Sequence, residues 1–416
     1  MKTWLVLATL MLPLFAARPV HAGELSLAAN KALAQLLDRG KQTRSNAVLV
    51  LQDGRELGHY YPDGKAPGPI ELMSVTKSVV ALGIGQLLDQ GRIRSLDQPV
   101  ADFYPEWKQG RKKDITLRML LDHTSGLQNF PRTDVEIYPA PDVVQLALAA
   151  ELDSKPGTSA SYNNKAVNLL AGIIEKASGQ PMDVFFREGL FKTMDIHPGP
   201  WDKDRTGHPY AMAGLKLTAA DLAKLGQLVL DRGRWQGRQV LPAGFIDDML
   251  APASMEGGCG LLWWRATQWT HFSTDPASFD LLRERGVPEG TVRKLQSALK
   301  GAHFDSIDAM RAGIAKALGP DAKAIMVDQL IKRGIGPYRL FKVSQGPVVA
   351  YDGNGDGGQY VVVVPQAGLV AVRQIDAGGE TESADQGYAD FVARVIALAE
   401  ASARLPPPPR TNTNTR

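Results

Sequence analysis

The strand-forming segments of this chain lie near its two ends, and that separation constrains the fold more than any other feature. Ala47 to Gln52 is a compact apolar run, closed by the turn signal Asp53-Gly54 and followed by Glu56 to Tyr61. Together they read as an antiparallel hairpin. Two strands do not make a stable sheet in water. The next strand-like runs are Tyr338 to Val343, Val348 to Tyr351, Tyr360 to Val364 and Leu369 to Ile375. These can complete the early hairpin if everything between forms a second lobe. The expectation is an α+β fold, with a sheet lobe from 23–95 plus 338–404 and a mainly helical lobe over 96–265. A charged, helix-patterned insertion occupies 266–337.

Helical periodicity supports this division. It marks Leu25 to Leu37, ending near Gly40, and the run from Ser74 to Leu88, stopped by Gly91. It continues through Thr116 to Leu121, Asp142 to Ala149, Ala166 to Ser178 and Thr218 to Leu230. The insertion patterns as helices at Phe279 to Arg285, Thr291 to Leu299, Ser306 to Leu318 and Ala322 to Lys332, and a last helix spans Ala384 to Ala403. Pro406 to Pro409 and the polar residues after them predict a disordered tail over 405–416.

The first 22 residues read as a signal peptide rather than as part of the fold. Lys2 gives a positive start, Trp4 to Ala17 an apolar stretch, and Val20-His21-Ala22 a small-residue cleavage site. Pro13, Arg18 and Pro19 interrupt the run, which is too short for a membrane span of roughly 20 apolar residues. The expected location is therefore outside the cytoplasm, in a bacterial periplasm. Lys2 and Arg18 leave with this segment, so 47 basic residues become 45, against 44 acidic ones. That balance supplies no field for nucleic acid or for an anionic membrane surface, and no later stretch is apolar for long enough to insert stably in a bilayer.

The single cysteine, Cys259, excludes an internal disulfide. Within Gly257-Gly258-Cys259-Gly260 it reads as a small buried side chain rather than a nucleophile. Seven scattered histidines show no ligand spacing, so neither a metal nor another cofactor is expected.

Ser74 and Lys77 are the first chemical pair. Residues i and i+3 share a helix face, so serine Oγ and lysine Nζ come within reach. A serine hydroxyl attacks only when a base takes its proton. Burial and the positive end of a helix both favour a neutral lysine. The tetrapeptide is weak by itself, because Ser297-Ala298-Leu299-Lys300 repeats it on what reads as a solvated face. Tyr162-Asn163-Asn164 adds a phenol able to act as a base where cations lower its pKa, and an amide, Asn164, able to bind both a substrate and Lys77. The bland reading has Tyr162 packing and Asn164 capping a helix.

A third element is Gly353-Asn354-Gly355-Asp356-Gly357-Gly358-Gln359-Tyr360. Its glycines permit close approach to a ligand. A strand edge there would offer the Gln359 N–H, with that of Ser74, to an oxyanion. A plain turn is the alternative, and a calcium loop a lesser one, since Asp352, Asn354 and Asp356 alternate without the terminal glutamate of an EF-hand.

Ser74-x-x-Lys77, Tyr162-x-Asn164 and the late Gly-Gly strand, in this order, resemble the serine β-lactamase-related family of class C type. That family includes D-amino-acid peptidases, esterases and 6-aminohexanoate-dimer hydrolases. Ile115 to Leu127 (ITLRMLLDHTSGL) and Gly214 to Ala223 (GLKLTAADLA) are similar to it as well. The resemblance covers most of 45–265 and 338–400. It implies a β-lactamase/transpeptidase-like fold: a mixed, mostly antiparallel sheet flanked by helices, a helical lobe, and a site in the cleft between them. It implies that Ser74 is the nucleophile, that Lys77 and Tyr162 share proton transfer, and that Asn164, Asp356, Gly357, Gly358 and Gln359 meet the substrate. His123, in this pattern, supports the loop packed on the site.

Two departures matter. The family's third motif begins with Lys or His, where this chain matches Asp356. An aspartate there repels a substrate carboxylate, which turns the expectation from β-lactams and D-Ala-D-Ala peptides toward other small amides, esters or peptides. The insertion at 266–337 is either a lid or a peripheral decoration. The expected function is a secreted hydrolase forming an acyl-Ser74 intermediate. A β-lactamase or D-Ala-D-Ala-type peptidase is one alternative, and a non-catalytic cell-wall peptide-binding protein on the same fold is another.

Overall fold

The computed structural model describes residues 25–130, 132–254, 258–376 and 388–402. The predicted signal segment and the proline-rich tail lie outside them. The N-terminal hairpin and the last three predicted strands join one antiparallel sheet, whereas the segment predicted from Tyr338 goes to a separate small sheet. In chain order the strands are β1 (Ala47–Gln52), β2 (Arg55–Tyr60), β3 (Ile70–Glu71), β4 (Lys216–Leu217), β5 (Arg234–Trp235), β6 (Arg238–Gln239), β7 (Trp264–Thr267), β8 (Thr270–Thr274), β9 (His303–Phe304), β10 (Phe341–Gln345), β11 (Val348–Gly355), β12 (Gln359–Val364) and β13 (Leu369–Gln374). The main sheet runs β2-β1-β13-β12-β11-β7. β1 meets β13 with Ala47 opposite Gln374 and Gln52 opposite Leu369, so the N-terminal hairpin is completed by the last strand.

The sheet is covered on both faces because its inner strands alternate two apolar sets. Val48, Val50, Val362, Val364 and Ala371 pack under the helices Leu27–Gln42 and Phe391–Ala401. Ala47, Leu49, Val361, Val363, Val370 and Val372 face the opposite way, into the large core of the helical lobe. That core surrounds Val75–Asp89, a helix whose residues are buried on nearly every side. An all-round apolar helix belongs at the centre of a domain, and this one carries Ser74 at its N-terminal end.

The first helix passes Gly40 and ends at Thr43. Gly40 serves packing instead of capping: a Cβ there would meet Val48 Cγ2 at 2.6 Å. Several predicted starts prove to be N-caps. Thr116, Asp142 and Thr218 each accept a hydrogen bond from a backbone N–H of the helix that follows.

The insertion is less purely helical than its periodicity predicts. β8 and β9 pair, and β10 closes on β8, giving a three-stranded sheet. The segment predicted as a strand from Tyr338 begins with a 3-10 turn, Pro337–Leu340, before β10. Ala322 to Lys332 breaks into Ala322–Ile325 and two irregular turns. Phe272, Leu282, Leu295, Met310, Ile314 and Phe341 form a separate apolar cluster here. Among the described residues, no helix is long and apolar enough to cross a membrane.

Candidate active site

Ser74 immediately precedes the helix Val75–Asp89, and the chain reaches it through Met73, a non-glycine residue at φ +47°. Such a conformation costs energy and persists where the surroundings impose it. The helix places Lys77 one turn on, and Nζ lies 2.8 Å from Ser74 Oγ. Nζ also donates to Met212 O at 2.8 Å. Among the described residues Lys77 has no ion pair, and burial pulls its pKa well below the usual 10.5. A neutral amine can serve both partners with its two N–H groups and keep a lone pair for the Ser74 proton.

The Tyr162 hydroxyl donates to Ser74 Oγ at 2.9 Å. Burial pushes this phenol up to about 12, although the bond to Ser74 opposes the shift. The expectation of a phenol made acidic by cations is thus reversed. Lys77 Nζ does lie over the ring, 5.0 Å from its centre, but a neutral amine brings no full charge. In this resting arrangement Lys77 is the group whose lowered pKa leaves it able to accept a proton, and Tyr162 donates its hydroxyl hydrogen to Ser74 Oγ.

The loop around Tyr162 is held by its neighbours. Asn129 Nδ2 donates to Tyr162 O at 2.7 Å. Asn163, and not Asn164, caps the helix Asn164–Ser178, through Ala166 N–H. His123 Nδ1 accepts the Asn163 N–H at 3.2 Å, which puts the ring proton on Nε2. The ring centre of His123 lies 4.7 Å from that of Tyr162. Burial, with Lys77 nearby, lowers its pKa to about 3, so it supports the phenol as a neutral ring. The expected bond from Asn164 to Lys77 is replaced by the Met212 carbonyl. Asn164 Oδ1 is buried without a partner among the described residues.

The strand beside Ser74 is β11. A Cβ on Gly355 would lie 2.6 Å from Leu72 O and 3.0 Å from Ser74 N, and one on Gly353 would lie 2.6 Å from Ser78 Oγ. Close approach of backbone to helix requires glycine at both positions. β7 begins at Trp264, opposite Asp352, while Arg265 N–H turns away to Gly258 O. The alternation of an antiparallel ladder then aims the main chain of Asp352 at β7. Asn354, two residues on, faces the same edge where no strand continues. The Ser74 N–H, which no described residue accepts, is available to an oxyanion beside this edge.

This corrects the predicted third motif. Gln359 lies on β12, between β11 and β13, and its side chain closes on Ile375 N and O. It is buried at an interior strand and offers no edge. Gly357 and Gly358 take positive φ in the turn after β11, with their carbonyls held by Arg373. Asp356 begins that turn and is exposed.

Ser74, Lys77, His123, Tyr162, Trp264 and Asn354 line one small cavity, together with Cys259. The thiol is buried and pushed up to about 12, mainly by burial, which fits a packing role. Met212, Trp264 and Asn354 escaped the sequence reading. Met212 contributes through its carbonyl, which no residue type reveals, although it stands beside the family-like stretch from Gly214. Ser297, the second Ser-x-x-Lys, is exposed on the insertion helix Glu289–Leu299.

Elsewhere, Asp142, Asp204 and His208 bring ligand-type atoms together. Their carboxylates already accept N–H groups of Val143, Val144, Gln145, Thr206 and His208. The cluster fastens the helix Val143–Ala149.

The profile of the family described as Beta-lactamase matches residues 30–393. A 6-aminohexanoate-dimer hydrolase of Paenarthrobacter ureafaciens is 28% identical over 246 residues, 54% of this chain and 62% of the relative. Esterase EstB of Burkholderia gladioli is 29% identical over 130 residues, 27% of this chain and 33% of the esterase. The chain therefore spans less than two thirds of these relatives. The crystal structure of a β-lactamase/D-alanine carboxypeptidase from Pseudomonas syringae superimposes with a TM-score of 0.55 at 15% identity, covering 90% of this chain and 99% of that one. The shared fold is the β-lactamase/transpeptidase-like one.

Proposed function

The chain belongs to the beta-lactamase family, and we propose that it acts there as a serine hydrolase, cleaving an amide or ester through an acyl-Ser74 intermediate. One observation carries this reading: Ser74 Oγ stands 2.8 Å from a buried lysine and 2.9 Å from a tyrosine hydroxyl. Lys77 takes the Ser74 proton as Oγ bonds to the substrate carbonyl carbon. The oxyanion accepts from Ser74 N–H. As the intermediate collapses, Tyr162 protonates the departing nitrogen or oxygen, and the Lys77 ammonium restores the phenol. Water, activated by the same groups, then releases the acyl chain.

The charge near the cleft supports substrates without a carboxylate at this position. Glu71, three residues before Ser74, has its pKa raised by burial, with Asp202 and Asp376 contributing and Lys216 opposing. Tyr138 is pushed up to about 12 by burial, with help from Glu71, Asp202 and Asp356. Lys216 is itself paired with Asp202 at 2.6 Å. Asp356, exposed where the family's third motif begins with a cation, would repel a β-lactam or peptide carboxylate brought beside it.

The test is labelling by a fluorophosphonate probe. Folded wild-type protein should be labelled and Ser74→Ala should not; an unlabelled wild type refutes the reading. Secretion belongs to the same proposal and rests on the pattern of residues 1–22. The mass of the exported protein should begin at Gly23, and retention of Met1 would contradict it.

A further inference from the structure

Asn168 is an amide in an apolar place, and keeping it there costs the fold something. It lies on the helix Asn164–Ser178 with no exposed surface, between the buried Val167 and Leu169. Its Oδ1 accepts the Met212 N–H at 3.2 Å. Only the oxygen of a carboxamide can take an N–H, so this bond fixes Nδ2 as the opposite end. Nδ2 is buried with no acceptor among the described residues. A buried donor without a partner is destabilising, and a leucine would carry no such donor. The amide is therefore to be explained by what its oxygen holds.

Met212 belongs to a buried stretch without regular structure. Tyr210 to Leu215 lies between the bridge at Pro209 and β4, in neither helix nor strand. Much of its main chain is accordingly paired by side chains. Trp201 Nε1 donates to Tyr210 O at 2.9 Å and to Ala213 O at 3.2 Å. Thr76 Oγ1 accepts the Leu215 N–H at 3.4 Å. Met212, 2% exposed, is held through both its polar groups: Asn168 takes its N–H, and Lys77 Nζ donates to its carbonyl at 2.8 Å. The same Nζ lies 2.8 Å from Ser74 Oγ. Three hydrogen bonds thus run in series from Asn168 to the serine. The helix that bears Asn168 begins two residues after Tyr162, so one element supports both polar groups at Ser74.

We propose that Asn168 is a positioning residue: by holding Met212 it presents a carbonyl that fixes one N–H of Lys77 and so aims the amine at Ser74 Oγ. This rests on the reading of Ser74 as the nucleophile, and deepens it by naming the residue that orients the base. Lys77 Nζ ends a flexible stem, and an amine free to turn would direct its lone pair at the serine for only part of the time. Without the Asn168 oxygen the Met212 N–H would be buried and unpaired. The irregular stretch would then turn toward another partner and take the carbonyl with it.

The experiment follows the rate of fluorophosphonate labelling against pH in wild type, Asn168→Leu and Asn168→Ala. Leucine fills the place of the amide and alanine empties it; neither can accept the Met212 N–H. Each should lower the plateau rate about 10- to 100-fold. The acid limb, where Lys77 gains its proton, should move to lower pH by about half a unit to one unit, because a carbonyl bonds an ammonium more strongly than a neutral amine. A merely structural role moves the limb the other way: a loosened core admits water, which favours the ammonium and raises the pKa. An unchanged plateau, or a limb that stays or moves to higher pH, would overturn the proposal. Failure of both variants to fold would overturn it too, by making the amide a requirement of the core. A wild type that is not labelled at Ser74 overturns the acyl-enzyme reading and this inference with it. A labelled wild type whose Asn168 variants label equally fast overturns this inference alone.

Discussion

The lysine proposed to activate Ser74 should weaken the fold that holds it, and Lys77→Met measures by how much. In the unfolded chain the Lys77 ammonium titrates near 10.5, and burial pulls its folded pKa well below that. Between the two values the unfolded chain holds one more proton than the native one. Stability therefore rises with pH through this interval, by about 1.4 kcal/mol per pH unit. It levels off above 10.5 and below the folded pKa. Methionine fills a similar volume and does not titrate. It also deprives Met212 O of its donor, but that loss is independent of pH and shifts the whole curve without tilting it. Urea unfolding of both proteins over the pH range just below 10.5 isolates the slope, because titrations common to both cancel in the difference. Wild type should gain on the variant as pH rises there, approaching about 1.4 kcal/mol per unit. Parallel pH dependences would show that Lys77 keeps its proton in the fold, and an ammonium cannot be the base. The same variant should lose activity by at least about a thousandfold.

Other perturbations test separate links. Tyr162→Phe removes the proton donor 2.9 Å from Ser74 Oγ and should lower kcat/KM about 100- to 10,000-fold with little change in unfolding midpoint. Gly355→Ala drives a methyl against Leu72 O; it should cost about 1–3 kcal/mol in urea melts and reduce fluorophosphonate labelling. Arg373 is fully buried and bonds Ser45 Oγ and the carbonyls of Thr43, Gly357 and Gly358. Arg373→Leu should therefore cost about 3–5 kcal/mol. Ser297→Ala, on the exposed insertion helix, should leave both labelling and turnover as in wild type.

Elements whose boundaries are set by local chemistry were legible in the sequence. The hairpin at 47–61, the helix after Ser74 with its stop at Gly91, and the starts at Thr116, Asp142 and Thr218 each carry a turn or cap residue that acts within a few positions. The misreadings share a cause. Gly40 looks like a helix stop, yet it lies in mid-helix because Val48 of β1 needs the space. β8 and β9 are short, and their pairing crosses the helices Pro276–Glu284 and Glu289–Leu299. No local pattern reports a contact of that range.

The site shows the same division more sharply. Ser74, Lys77 and Tyr162 are recognisable as residue types in sequence order, and the structure brings them within hydrogen-bond distance. The third wall was misplaced by four residues, and the chain explains why. Asp352-Gly353-Asn354-Gly355 and Asp356-Gly357-Gly358 are near copies, each an aspartate followed by glycines. Glycine carries no apolar alternation, so nothing local marks where β11 ends. What decides the register is the distance of the strand from the nucleophile helix. Gly353 and Gly355 lie where any Cβ would strike Ser78 or Leu72, whereas Gly357 and Gly358 are required by positive φ in a turn. The two glycine pairs meet different physical demands, contact in one and conformation in the other. The aspartates differ accordingly: Asp356 is an exposed charge at the turn, and Asp352 is a buried carboxyl that accepts from the Asn354 amide.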